Sequence, residues 1–410
     1  MATTTHDDDA PKQRKADAGS AFGRIPLGRL FGINIRADWS VLIIGGLVAG
    51  NLGLGMLPQW HPDWGPVLTW AVAVGAAVLF LASILVHEMS HALVGRKMGI
   101  PVRNITLFIF GGMAHTEKEP PSPRAELLMA AAGPVTSLAL GLAATFGGLA
   151  LASVSFANVQ EPTEALSQIG PTATLLLWLG PINIILGVFN MVPGFPLDGG
   201  RVLRAILWAW TKDLTKATKW ASLAGQGFAA VLAAWGIISL LGGNVVQGIW
   251  LLLIAWFLRN AARAGYTQTL IQQALAGTKV GQVMRRRLIH VPPNISVATL
   301  VDDYLMASDQ QCFPVVSDDR HLEGIVCLED VRGVPRDAWP TTPVRDAMTP
   351  ASELETTRED APATDVLRQL GTREVDQVPV VDPQGALLGL VRRQDVLRWL
   401  ALHDDRLRTT

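Results

Sequence analysis

Apolar residues gather in six long stretches between residues 39 and 258, and each stretch is apolar on all sides. They cover residues 39–57, 67–94, 127–154, 173–192, 221–241 and 245–258. A helix needs about 20 apolar residues to cross the hydrocarbon core of a bilayer. Five stretches reach or approach that length; the sixth is short, although Ala261 and Ala262 would extend it. Soluble helices carry an apolar stripe and a polar face, and these stretches have no polar face. The pattern predicts a polytopic α-helical membrane protein with about six transmembrane helices.

Between the second and third stretches the pattern changes. Val102, Ile105, Leu107 and Ile109 are strand-prone, and Gly111 and Gly112 break the run,. A short β-hairpin or loop at the membrane edge is expected there. After Gly277 charged residues return, and apolar runs shorten to strand length. An internal repeat then appears. Val280-Gly-Gln-Val-Met284 recurs as Val344-Arg-Asp-Ala-Met348, and Phe313-Pro-Val-Val316 as Val378-Pro-Val-Val381. Gly324-Ile-Val-Cys-Leu-Glu-Asp330 recurs as Gly389-Leu-Val-Arg-Arg-Gln-Asp395. Two copies of one α/β unit follow. The expected division is a disordered tail (1–25), a six-helix membrane domain (26–265), a linker (266–279), a first copy (280–336), and a second copy with a tail (337–410).

Composition agrees with a lipid environment: 49% of residues are hydrophobic and 17% charged, against about 25% charged in soluble proteins. The net charge of −1 gives no argument for a nucleic-acid partner, and none is expected. The placement of charge says more. Arg96, Lys97, Arg103, Arg201, Lys212 and Arg259 all fall in segments on the side of the N-terminus, whereas loops 51–64, 155–170 and 242–244 contain no Lys or Arg. The positive-inside rule then places both termini in the cytosol of a multi-pass protein of the cell membrane. Residues 1–30 show no apolar run of a secretory signal peptide,. The two cysteines, Cys312 and Cys327, are too few for a disulfide framework and lie in the part assigned to the cytosol,.

The chemistry sits at the end of the second stretch, as His87-Glu88-Met89-Ser90-His91. Histidines four apart share one face of a helix, so both rings can reach one metal ion. Glu88 is placed to act as base on a water at that metal. Zinc lowers the pKa of such a water to about 7. Ionisable side chains inside a membrane span are costly and mark function. A catalytic zinc takes three protein ligands and a water, and the best third ligand is Asp198, at the end of Asn190-Met-Val-Pro-Gly-Phe-Pro-Leu-Asp198. Pro193 and Pro196 prevent a regular helix there, and the segment falls on the same membrane side as the histidines.

His87-Glu88-x-x-His91 together with Asn190-x-x-Pro193-x-x-Pro196-Leu197-Asp198-Gly199 resembles the site-2 protease family of intramembrane metalloproteases. The resemblance covers about residues 26–263. It implies one zinc per chain, held by His87, His91 and Asp198, with Glu88 as base. It implies hydrolysis of a peptide bond within or beside the membrane span of a single-span protein, such as an anti-sigma factor or a tethered transcription factor. Asn190 matches the family's asparagine, which would hold the scissile peptide or its oxyanion; helix capping or a helix–helix hydrogen bond is the alternative. Residues 106–115 have the look of an unpaired strand edge, which could align an extended substrate. Ile105, Leu107, Gly111 and Gly112 are the candidate substrate contacts. His115 is read as interfacial, not as a ligand.

The repeat resembles a pair of CBS domains, an arrangement found at the C-terminus of some prokaryotic site-2 proteases. Such pairs often bind adenine nucleotides. Asp330 and Asp395 would then take ribose hydroxyls, or they cap the helices that follow. Cys327 and Arg392 stand where the nucleotide pattern has Ser or Thr. Nucleotide binding therefore stands beside dimerisation or gating without a ligand, including a homodimer through the CBS domains. A transporter or channel gated by a CBS pair would share this topology, but it leaves the histidine pair, Glu88 and the Leu-Asp-Gly turn unexplained.

Overall fold

The computed structural model describes residues 25–108, 111–116, 120–152, 167–308, 310–372 and 377–403. The chain forms two compact units that divide after Thr267. Of the expected N-terminal tail, residues 1–24 lie outside the described residues.

The first unit opens with two strands that the hydrophobic pattern did not predict, β1 (Ile25–Leu30) and β2 (Ile33–Ala37). A two-residue turn joins them, with Phe31 and Gly32 both at positive φ (50° and 77°). A tight hairpin turn of this kind needs that conformation at both positions. The first helix, α1 (Ser40–Trp60), starts where the carboxylate of Asp38 accepts the Ser40 amide at 2.9 Å,. Helix α2 (Pro66–Lys97) follows, then strands β3 (Val102–Phe108) and β4 (Gly111–Thr116).

The four strands form one sheet in the order β1-β2-β3-β4. β2 and β3 run parallel, with Asn34 opposite Asn104 and Ala37 opposite Leu107. The expected hairpin is thus half of a larger sheet. β3 is paired on both sides, so its backbone is not an edge. The edge next to it is β4. Ile105 and Leu107 point into a core shared with Ile33, Ile35, Met89 and Ala92. The expectation that these two residues contact substrate is corrected accordingly.

Helix α3 (Pro123–Ala152) packs along α4 (Pro171–Asn190) through glycines. A Cβ at Gly141 would press on the Gly180 carbonyl, and one at Gly187 on the Pro134 carbonyl. Small residues that let backbones approach are the usual contact between helices in lipid, where no hydrophobic force joins them. A short helix absent from the sequence reading, α5 (Asp198–Thr211), comes next, followed by α6 (Leu214–Leu241) and α7 (Val245–Ala274). The last is a full 30 residues rather than the short span expected. Ser222 on α6 donates to the Ala262 carbonyl of α7 at 2.8 Å.

Six of these helices, all but α5, are long and apolar enough to cross a membrane. Leu42, Val67, Val78, Phe146, Trp235 and Val246 stand exposed along them. A soluble monomer rarely leaves so large an apolar surface uncovered.

The second unit contains two β-hairpins: β5 (Cys312–Val316) with β6 (Leu322–Cys327), and β8 (Gln377–Val381) with β9 (Leu387–Arg392). The short strand β7 (Thr349–Pro350) adds to β6. Helices α8 (Leu328–Arg332), α9 (Ala363–Thr372) and α10 (Arg393–His403) also belong to the unit, with shorter helical turns at Val280–Val283 and Val344–Ala347. The hairpins meet at their turns, through Leu322 N–H to the Gly385 carbonyl (3.1 Å) and Leu387 N–H to the Arg320 carbonyl (3.0 Å).

The two repeats exchange their opening turns. Val280, Val283 and Met284 pack into the core of the second copy, with Val366, Val378 and Leu400. Val344 packs into the core of the first, with Phe313 and Val326. Cys312 and Cys327 face each other in register across β5 and β6 and are joined as a disulfide. The cysteine count alone had not pointed to this bond, because its pairing is created by the hairpin.

Candidate metal centre

Three donors converge at one point of the first unit. His87 and His91 lie one turn apart on α2, with their Nε2 atoms 3.2 Å from each other. Asp198 Oδ2 lies 3.1 Å from both of them. His87 and His91 are buried, and the side chain of Asp198 is 15% exposed, which makes it the most open of the three.

The broken stretch of residues 191–197 brings Asp198 here. Its backbone is pressed between neighbours. A Cβ at Gly199 would collide with the Met191 carbonyl, and one at Gly225 of α6 with the Phe195 backbone. Phe195 N–H also donates to the Ala221 carbonyl of α6 at 3.2 Å. Asp198 is therefore delivered in the first turn of α5 from a loop seated on α6.

Helix α3 holds both imidazoles from behind. The Nδ1 of His91 lies 2.6 Å from the Met129 carbonyl, and the Nδ1 of His87 lies 2.8 Å from the Ser137 hydroxyl. Between them, Gly133 leaves the space the rings occupy; a Cβ there would run into the Nε2 of each. The sequence reading missed Met129, Gly133 and Ser137. Their spacing of four residues on an apolar helix is the signal that could have revealed them.

The donors fit a cation. A carbonyl oxygen only accepts, so His91 carries its proton on Nδ1 and turns the lone pair of Nε2 inward. An ionised carboxylate against imidazole lone pairs is unfavourable until a positive ion lies between them. Two histidines and one carboxylate form a ligand set of catalytic zinc, with a position left for water. The partners on α3 are those that commonly orient ligating histidines.

The other expected residues are placed as follows. Glu88 follows His87 on α2, and its side chain rests on the edge strand: a Cβ at Gly112 would collide with Glu88 Cγ. Gly111 and Gly112 both lie on β4. Asn190 donates its side-chain amide to the Leu186 carbonyl of its own helix (3.0 Å). The His115 side chain lies outside the described residues.

In the second unit Asp330 accepts the Cys327 amide at 2.7 Å and so caps α8. Burial raises its carboxyl, and that amide partly offsets the effect. Asp395 accepts two hydrogen bonds from Arg392 (2.8 and 3.1 Å) and lies 3.6 Å from Arg285. Both aspartates thus have protein partners.

Peptidase family M50 matches residues 75–234, and the CBS domain matches residues 280–337 and 344–402. Rip3 of Mycobacterium tuberculosis, described as a zinc metalloprotease, is 36% identical over 379 residues, spanning 92% of this chain and 93% of that one. The chain belongs to peptidase family M50. It is a multi-pass zinc metalloprotease of the site-2 protease type with a CBS pair at its C-terminus. A relative described as a zinc metalloprotease in Synechocystis is 32% identical to this peptidase, over 92% of this chain and 95% of that one. The solved site-2 protease of Methanocaldococcus jannaschii is 27% identical and covers 59% of this chain and 95% of that one, with a TM-score of 0.40.

Proposed function

We propose that this peptidase hydrolyses a peptide bond within or beside the transmembrane segment of a single-span membrane protein, using one zinc held by His87, His91 and Asp198. The convergence of these three donors within 3.2 Å carries the reading. When bound, zinc acidifies water and polarises a carbonyl. Glu88 takes the proton of the attacking water and passes it to the leaving amine.

Substrate chemistry supports β4 as the docking strand. A peptide bond inside a helix is shielded by its own hydrogen bonds, so the substrate must be extended when cut. An edge strand supplies main-chain partners to an extended segment. Gly111 and Gly112 keep that edge slim where it passes Glu88. Asn190 serves the scissile peptide once its amide leaves the Leu186 carbonyl.

The distribution of Lys and Arg supports cytosolic termini, and bacterial relatives support a prokaryotic source. The natural substrates are then signalling proteins such as anti-sigma factors or tethered transcription factors. The CBS pair gates proteolysis, through an adenine nucleotide near Asp330 and Asp395 or through homodimerisation.

The test is cleavage of a panel of single-span membrane proteins by wild type and Glu88→Gln, with zinc quantified in both. Product from the wild type alone, at equal zinc, is expected. Cleavage by Glu88→Gln at the wild-type rate would overturn the mechanism.

A further inference from the structure

We propose that Glu126 and Arg204 are positioning residues for the metal: a buried ion pair that sets where Asp198 stands relative to the two histidines. The inference rests on the reading of Asp198 as a ligand. Glu126 is fully buried in the first turn of α3, and Arg204 on α5 is nearly so. Arg204 donates to Glu126 Oε1 from Nε at 2.6 Å and again from a terminal amino group. Arg201, also on α5, approaches the same oxygen at 3.9 Å. No step of the proposed chemistry uses any of them.

Their places in the two helices give the pair its role. Glu126 lies one turn before Met129, whose carbonyl fixes His91, and two turns before Gly133, on which both rings rest. Arg204 lies six residues after Asp198, or about 9 Å along the helix axis. The pair therefore ties the helix that orients the histidines to the helix that presents the third ligand. The same guanidinium lies 5.3 Å from the ring centre of Phe195, within range of a cation–π contact,. It thus also pins the loop that leads into Asp198.

Adhesion alone would not require charge. Replacing a buried ion pair by packed apolar residues is often neutral or stabilising. Two guanidinium donors converging on one carboxylate oxygen add direction: they fix the angle and register of the partners, which apolar contact does not,. Register is what a metal site needs, since a one-residue slip of α5 would turn Asp198 by about 100° away from the histidines.

The experiment uses the full chain in lipid nanodiscs. Zinc affinity is measured by competition with a chelator, and the visible spectrum is recorded with cobalt in place of zinc. Glu126→Gln and Arg204→Gln are expected to weaken zinc binding by about 10- to 100-fold, the usual effect of losing a group that orients a ligand, and to change the cobalt bands. Arg204→Lys, which keeps the charge without the fork, is expected to recover part of the affinity, and it answers the question if the other two do not fold. Ser222→Ala, which removes a helix contact elsewhere, is expected to leave the spectrum unchanged. Wild-type affinity and spectrum in the folded Glu126 and Arg204 variants would overturn the proposal, as would an equal change in Ser222→Ala. Asp198→Asn separates the two readings. If it retains zinc, the ligand assignment fails and the ion-pair proposal falls with it. If it loses zinc while the Glu126 and Arg204 variants do not, only the ion-pair proposal fails.

Discussion

His91 is oriented by the backbone of Met129: its Nδ1 lies 2.6 Å from that main-chain oxygen, and the Met129 side chain takes no part in the bond. His87 differs, since its partner is the side-chain hydroxyl of Ser137 at 2.8 Å. The two histidines should therefore respond differently to substitutions on α3. Ser137→Ala is expected to weaken zinc binding by about 10- to 100-fold. Met129→Leu keeps the carbonyl and should bind zinc as the wild type does. Chelator competition on both variants checks the contrast, and equal losses would refute it.

Gly133 of α3 has no room for a side chain. Even a methyl group would meet the Nε2 of both histidines. Gly133→Ala should lose stoichiometric zinc and more than about 100-fold of cleavage, because both rings must turn. Metal analysis of the purified protein decides this; retained zinc would show that the helices can separate.

In the proposed mechanism Glu88 carries protons and does not bind the metal. Glu88→Gln should keep one zinc per chain and lower cleavage by about 10²- to 10⁴-fold, the usual value of a positioned base. Single-turnover cleavage with measured zinc content tests this.

Gly112 lies where the edge strand meets Glu88. Gly112→Ala would push on the Glu88 side chain. Zinc binding should be unchanged, with cleavage lowered mainly through kcat. A change confined to KM would instead favour a role for this residue in docking substrate alone.

Zinc removal should also destabilise the membrane unit. A ligand present at about 100 times its Kd adds about 2.7 kcal/mol to the folded state. Dialysis against a chelator should lower the melting midpoint, and zinc should restore it. A midpoint that chelation does not change would mean the cluster is not a metal site.

Part of this architecture can be read from the sequence because its signals are local. Six spans show as averages over some twenty residues, and His87 and His91 show by their spacing on one helix. Strand β1 gave no such signal, and β2 alternates over only five residues, with Ile33, Ile35 and Ala37 turned inward. β1 is exposed on both faces and so has no alternation, and β2 pairs with a strand whose Asn104 is 70 residues from Asn34. Helix α5 begins at a Gly-Gly pair that reads as a turn. Ser137 and Gly133 look like ordinary small residues of a packed span until the opposing helix is known. The disulfide likewise depends on a hairpin that places two cysteines 15 residues apart in register.

The parallel pairing of β2 with β3 also fixes a parity. The chain leaves β2, passes through α1 and α2, and returns to the same sheet in the same direction. Only an even number of bilayer crossings allows that return. The contact between Glu126 and Arg204 sets the same condition on α3 and α4. Two pairs of spans are thus counted by contacts at one membrane face, without reference to where the charges lie. Labels attached in loops 61–65 and 167–170 should both report the face opposite to the sheet, whichever face of the cell that is.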